Sequence, residues 1–271
     1  MNFEEYIITG STSFIGSNLV NFLIKNKKKV TVLVRNKKKL SNYSWNKKVK
    51  VFKFDLKNKS FEILKFKKKS ILIHLAWDFL PNYESINHIE NVFNSYRLIS
   101  NLKKNGVKDF FVAGTCFEYG FVKGAVGVKT ECKPTNLYAF SKHMLHTMLL
   151  VDKNNSEINL KWGRVFYPYG EGQKSGIIAS LEKAILDKEK KFNMSSGNQI
   201  KDFVEINSVV NQIYNILHKK RNGTFNICSG EGIKVIDLVR KWIKFRKSEI
   251  KVNRGYLKIK NEDKNNFWGV K

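Results

Sequence analysis

The chain has 271 residues, 42% hydrophobic and 13% aromatic, with 3 prolines, enough apolar side chain for one folded unit or a domain with a smaller lobe, which argues against a fibrous or disordered polymer. A formal net charge of +27 raises nucleic acid and membrane surfaces as partners. The lysines, however, fall in short runs (Lys27 to Lys29, Lys37 to Lys39, Lys67 to Lys69, Lys219 to Lys220) between apolar segments, so a solvated cationic surface is favoured and neither a nucleic acid nor a membrane partner is expected.

In chain order, Glu5 to Thr9 is a short apolar run ending in Gly10, as a buried strand would. Phe14, Ile15, Leu19, Val20, Phe22 and Leu23 follow at helical spacing. Between them, Gly10 to Gly16 is a strand-to-helix turn whose backbone N–H groups can bind a pyrophosphate; a tight turn without a ligand is the competing reading. Val30 to Val34 reads as a second strand and Arg35 stands just past it, where an NAD-selective site usually carries an acid. A cation there favours a 2′-phosphate, so NADP(H) is preferred as cofactor, with NAD(H) as the alternative; Asn36 and Lys37 are placed to assist, and a plain surface arginine is the competing reading.

Val49 to Phe54, Ser70 to Leu75 and Phe110 to Ala113 read as further strands, and Glu84 to Asn105 as a long helix closed by Asn105-Gly106. Strands apolar throughout, alternating with helices, predict an α/β fold with a doubly wound parallel sheet. After about Tyr167 the alternation loosens into turns at 169–172 and 195–198, which predicts a smaller mixed lobe. Residues 1–167 and 204–228 are expected to form the dinucleotide domain, and 168–203 with 229–271 the substrate lobe.

Tyr138 and Lys142 lie four apart on an expected helix and share one face. A lysine ammonium beside a phenol favours phenolate and eases proton exchange. Thr115 ends the fifth strand, at the sheet edge where ligands of such folds bind, and its hydroxyl can bond a reacting carbonyl oxygen. Trp77, Phe79 and Tyr83 follow the fourth strand and are candidates for a sugar pocket or for simple packing. Cys116, Cys132 and Cys228 are widely spaced and odd in number, and the histidines show no HExxH pattern, so no disulfide framework and no metal is expected. Glu4 and Glu5 stand where the basic region of a signal peptide would be, and the longest apolar run, Ser70 to Trp77, is too short for a bilayer; a cytoplasmic protein is expected.

These motifs resemble the extended short-chain dehydrogenases/reductases of the NAD-dependent epimerase/dehydratase family over nearly the whole chain. The family's glycine turn aligns with Gly10, Ser13 and Gly16, its adenine-contacting pair with Asp55-Leu56, and the segment beside the cofactor with His74-Leu75-Ala76. The run Gly114 to Gly120 places the catalytic hydroxyl on Thr115, and Tyr138 and Lys142 match the proton donor and its lysine. The resemblance thus implies cofactor contacts at Gly10, Ser13, Phe14, Ile15, Gly16, Arg35, Asp55, Leu56, Leu75, Ala76 and Lys142. Arg164, Lys201 and Arg254 become candidates for binding a substrate diphosphate, with Trp77 and Thr115 at the sugar. Cys116 and Phe117 occupy the places where the family's 4,6-dehydratases have acids, so elimination is not expected. The patterns 74–83, 114–120 and 192–203 look most like reductases of nucleotide-linked 4-keto-6-deoxyhexoses, with a nucleotide-sugar 4-epimerase and a non-catalytic dinucleotide-binding protein as the alternatives. A homodimer through the helices at 84–105 and 138–151 is expected by analogy.

Overall fold

The computed structural model describes residues 3–58, 66, 69–154, 158–259 and 266–271; Lys67 and Lys68 of the third lysine run lie outside them. The first half alternates β1 (Glu5–Thr9), α1 (Phe14–Lys25), β2 (Val30–Val34), β3 (Lys50–Lys53), β4 (Ser70–His74), α2 (His88–Lys104), β5 (Asp109–Thr115), β6 (Lys123–Val126) and α3 (Leu137–Asn154). The second half contains β7 (Asn159–Val165), β8 (Tyr167–Tyr169), α4 (Ile177–Leu186), β9 (Lys191–Asn193), β10 (Ile200–Lys201), β11 (Phe203–Glu205), α5 (Ile206–His218), β12 (Gly223–Ile227), β13 (Ile233–Lys234), α6 (Val235–Phe245), β14 (Lys251–Asn253) and β15 (Asn266–Gly269).

A seven-stranded sheet has the order β12-β7-β5-β4-β1-β2-β3, and every pairing in it is parallel. This is the expected doubly wound α/β architecture. Its central strands β1, β2 and β4 are buried at every position, because helices cover both faces and leave no solvated side to alternate toward. On one face Leu19, Val20 and Leu23 of α1 pack with Val209, Ile213 and Leu217 of α5. On the other, Val92, Leu98 and Leu102 of α2 meet Leu145 and Leu149 of α3. Helix α2 begins at His88 rather than Glu84, because Asn82, Ser85 and Ile86 form successive turns whose carbonyls accept from Ser85, His88 and Ile89 backbone N–H groups.

Two boundaries differ from expectation. The third strand is Lys50–Lys53, shorter than the 49–54 run, as befits a half-buried edge strand. More consequentially, β6 leaves the main sheet and joins a four-stranded sheet of order β13-β10-β15-β6. Residues 123–126 therefore pair with the late segments although they fall inside the expected 1–167 unit. Their partner β15 is far away in sequence, beyond the reach of local periodicity. Buried Asp202 ties this region together, accepting from Ser229 N and Oγ at 2.7 Å each, Gly230 N at 3.1 Å and Gly269 N at 3.0 Å. Among the described residues no helix is long and apolar enough to cross a membrane.

One core position works against the fold. Lys161, in β7 between β5 and β12, is completely buried and its Nζ has no hydrogen-bond partner among the described residues. Burial pushes its pKa below the usual lysine value, with Asp109 opposing. Lys161→Met keeps the stem and removes the polar end, and is expected to stabilise the chain by about 1–3 kcal/mol. Thermal unfolding at neutral pH checks this, and an unchanged or lowered midpoint would contradict it.

Candidate active site

The carboxyl ends of β1, β4 and β5 lie side by side in the sheet, and chain reversal between β1 and β4 opens the crevice where ligands of doubly wound folds sit. Thr9, the last residue of β1, organises this edge. Its Oγ1 accepts from Leu75 N at 3.2 Å and Ala76 N at 3.3 Å and lies 2.8 Å from His74 Nδ1. The other ring nitrogen of His74 is 2.9 Å from Ser95 Oγ in α2. Full burial lowers the His74 pKa to about 3, so the ring is neutral and serves as a strut.

Gly10 turns the chain out of β1 with a φ of +69°, and an added Cβ would lie 2.7 Å from Ala76 N; on Gly16 it would lie 2.1 Å from Gly10 O. Both glycines are therefore required by close backbone approach. Ser13 caps α1, its Oγ accepting from Gly16 N at 3.1 Å, and Phe14 and Ile15 form the first helical turn, half-buried against the core. Helix N-termini leave backbone N–H groups without intrahelical partners, a natural seat for a phosphate. Buried Ser11 Oγ, in the same turn, has no hydrogen-bond partner among the described residues.

Further along the edge, Arg35 follows β2, and Asp55 and half-buried Leu56 follow β3; Asp55 Oδ1 accepts from Lys57 N at 3.0 Å. Arg35, Asn36, Lys37, Lys38 and Lys53 line an open cavity of about 450 Å³. Arg35 is not idle there. Its guanidinium forms a 2.7 Å ion pair with Asp78, from the loop after β4.

Thr115, Tyr138 and Lys142 meet at the end of β5. The Tyr138 hydroxyl lies beside the Thr115 side chain, and burial raises the phenol's pKa while that polar neighbour works to lower it. Tyr138 N donates to Tyr83 O at 2.9 Å, which fixes the start of α3 against the loop after β4. Lys142, one turn on, is buried and donates to Ala113 O at 2.7 Å. Burial brings its pKa down to about 7, with Glu118 holding it up. The phenol is ringed by Trp77, Tyr83, His88 and Phe117, at centroid separations of 6.2, 5.7, 5.4 and 6.4 Å. A protonated phenol, a hydroxyl and a lysine gathered among aromatic rings are the groups needed to deliver a proton to an oxygen brought against them.

The expected substrate cations are placed differently. Arg164 does not reach an open surface: it is buried, its Nε donates to Glu118 Oε2 at 3.0 Å, and its guanidinium stacks over Tyr119 at 4.6 Å. Its charge is spent on a carboxylate in the interior, which corrects the expectation that it faces a diphosphate. Lys201 is also buried, with Nζ 3.1 Å from Tyr167 Oη. Arg254 is exposed and donates to Ser196 O at 2.8 and 3.0 Å and to Asn198 Oδ1 at 3.0 Å. Trp77 turns its ring toward Lys142, whose Nζ lies 3.9 Å from the centroid.

Sequence reasoning missed Glu118 and His88. Glu118 is fully buried and accepts from Thr115 N at 2.9 Å and Trp162 Nε1 at 3.0 Å besides Arg164. Its spacing after Thr115 is the signature of a capping box, a signal that was available. His88, completely buried at the start of α2, carried no comparable signal. Glu118, His143 and His146 also bring possible metal-ligand atoms within 4.8 Å of one another. Arg164 already neutralises that carboxylate, and His146 stacks on Trp162 at 4.5 Å, so the cluster reads as packing.

Residues 6–228 match the model of the NAD-dependent epimerase/dehydratase family. The chain belongs to that family. Among relatives of this family member, the dTDP-6-deoxy-L-talose 4-dehydrogenase (NAD(+)) of Aggregatibacter actinomycetemcomitans is 29% identical, over 98% of this chain and 99% of that protein. Two solved structures share the fold. One is the UDP-N-acetylglucosamine 4-epimerase of Methanobrevibacter ruminantium M1 in complex with UDP-N-acetylmuramic acid (TM-score 0.85, 22% identity, 100% of this chain and 90% of that one). The other is the UDP-glucuronic acid 4-epimerase of Bacillus cereus in complex with UDP-glucuronic acid and NAD (TM-score 0.80, 21% identity, 98% and 90%). The family's dinucleotide fits the residues of this family member: the tight glycine turn, the capped α1 and the unpartnered Ser11 hydroxyl together offer a pyrophosphate seat at the sheet edge.

Proposed function

We propose that this family member reduces the 4-keto group of a nucleotide-linked 4-keto-6-deoxyhexose. The observation that carries the reading is the buried Tyr138 phenol beside the Thr115 side chain, with Lys142 one turn away and bonded to Ala113 O at the carboxyl edge of the sheet. The name of the Aggregatibacter relative, a 4-dehydrogenase of a 6-deoxy-sugar nucleotide, describes the reverse of such a reduction. Cys116, whose thiol burial holds protonated, and the Phe117 ring supply no acid–base pair for an elimination.

When bound, the nicotinamide supplies the hydride. Thr115 Oγ1 and Tyr138 Oη orient the substrate's carbonyl oxygen, and Tyr138 donates its proton to the alkoxide that forms there. Burial keeps that phenol protonated until it is needed. Lys142, as ammonium, stabilises the phenolate left behind. Gly10, Ser13, Phe14, Ile15 and Gly16 hold the pyrophosphate, with Asp55, Leu56, Leu75 and Ala76 along the rest of the cofactor. Arg254 offers an exposed guanidinium to the substrate diphosphate, and Lys201 would have to be uncovered to join it.

The names of relatives carry NAD, while the cationic cavity beside Arg35 supports use of NADP(H) as well. If that cavity takes a 2′-phosphate, Lys53→Gln should lower the preference for NADPH over NADH by about tenfold, the loss of one charge-assisted contact. Equal ratios of kcat/KM in the two proteins would refute it. The reaction itself is tested by incubation with dTDP-, GDP- and UDP-linked 4-keto-6-deoxyhexoses, following reduced-cofactor absorbance and identifying products by NMR. Stoichiometric cofactor consumption supports the reductase; sugar inversion at carbon 4 without net consumption would assign a 4-epimerase instead. Exposed Phe93 on α2 and Phe140 and Val151 on α3 support a homodimer through these helices, which pack against each other.

A further inference from the structure

We infer that Trp77 is a positioning residue that holds Lys142 as an ammonium, rather than a wall of the sugar pocket. The inference rests on the proposed role of Lys142 at the reacting centre. Lys142 Nζ lies 3.9 Å from the Trp77 ring centroid and 2.7 Å from Ala113 O. Both neighbours favour the charged amine: an indole face attracts a cation, and a carbonyl accepts from an N–H donor. The carbonyl is fixed in β5, whereas the indole acts only while its ring is held in place.

The indole is held by its far edge. Trp77 Nε1 donates to His88 Nδ1 at 3.1 Å. An indole N–H is a donor only, so Nδ1 presents its lone pair and the ring proton sits on Nε2. That nitrogen lies 2.7 Å from Asn82 O and donates to it. Burial lowers the His88 pKa, in keeping with a ring that accepts at Nδ1. The chain Asn82–His88–Trp77–Lys142 thus links the loop after β4 and the start of α2 to the lysine on α3. Trp77 also meets the Tyr138 ring edge-on at 6.2 Å, so one side chain orients both members of the proton-transferring pair.

The titratable groups that act on Lys142 are His74 from β4, His88 from α2 and Glu118 from the turn after β5, with Tyr138 one turn earlier on its own helix. The first two are neutral rings and Tyr138 a neutral phenol, which leaves Glu118, Ala113 O and the indole face as the supports for the charge against burial. Activity that needs the ammonium is present below the Lys142 pKa and lost as pH rises through it. Removing the indole face lowers that pKa, so the alkaline limb of the kcat/KM profile moves to lower pH.

Three proteins separate the contributions. Trp77→Leu, which removes the π face, is expected to move the alkaline limb down by about one pH unit. Trp77→Phe keeps a π face but loses the bond to His88, and should move the limb down by clearly less than Trp77→Leu does. A limb that stays in place in Trp77→Leu, or moves equally in both variants, overturns the inference. A second measurement needs no turnover. The ligand-free protein should show an indole difference absorption between about pH 5.5 and pH 8.5, as the nearby charge is titrated. The difference should vanish in Lys142→Met. An identical difference spectrum in Lys142→Met also overturns the inference, whatever reaction the protein catalyses, whereas a turnover-competent Tyr138→Phe would overturn the functional reading alone.

Discussion

Tyr138→Phe is expected to lower turnover by 10²- to 10⁴-fold, the usual contribution of one positioned proton donor. The substitution removes a single oxygen. The ring that packs among Trp77, Tyr83, His88 and Phe117 remains, as does the backbone bond from residue 138 to Tyr83 O. The fold should therefore survive, with a loss of about 1 kcal/mol for the buried hydroxyl's polar contacts. Dinucleotide binding, proposed at the Gly10 turn on another strand, should be nearly unchanged. The check is turnover with a 4-keto substrate beside a fluorescence titration of the cofactor. A variant that keeps more than about a hundredth of the rate would remove Tyr138 from the donor role.

The second large effect is on stability. Glu118 is completely buried and accepts from Thr115 N, Trp162 Nε1 and Arg164 Nε, all within 3.0 Å. In Glu118→Gln the shape is kept, but the Arg164 guanidinium, itself 4% exposed, is left charged without a counter-ion. Breaking one side of such a pair typically costs about 3–5 kcal/mol. Because Arg164 also keeps its place over the Tyr119 ring, packing does not relieve the deficit. Glu118→Gln combined with Arg164→Met should recover much of the loss, since the penalty comes from the orphaned charge rather than from lost shape. Denaturant unfolding of the two single variants and the double measures it. A single-variant loss under about 1 kcal/mol, or fully additive losses, would show that the pair is not the internal tie described here.

Arg164 also marks the limit of linear reading. A basic residue ahead of a Tyr-Pro-Tyr-Gly run suits a phosphate-binding role, and nothing nearby in sequence says otherwise. Glu118, its partner, is 46 residues away, and only the β5–β7 pairing, with Gly114 opposite Arg164, brings them together. Lys201 follows the same pattern, covered beside Tyr167 through the pairing of Phe203 with that residue. Trp77 was legible as an aromatic at a strand end, yet the direction of its ring depends on His88, which its own strand and loop do not contain.

By itself the sequence determined the parallel alternation, the glycine turn after β1 and the placing of Tyr138 and Lys142 one turn apart on one helix. Each of these is written in short-range terms: a run of apolar residues, two glycines bounding one turn, and a four-residue spacing on a helix. Tertiary structure alone decided that β6 joins β15 in a second sheet, that the Trp77 ring covers Lys142, and which cations are sealed inside. A buried charge takes its role from whatever partner desolvation forces upon it, and that partner is chosen by strand order across the sheet rather than by neighbours in the chain.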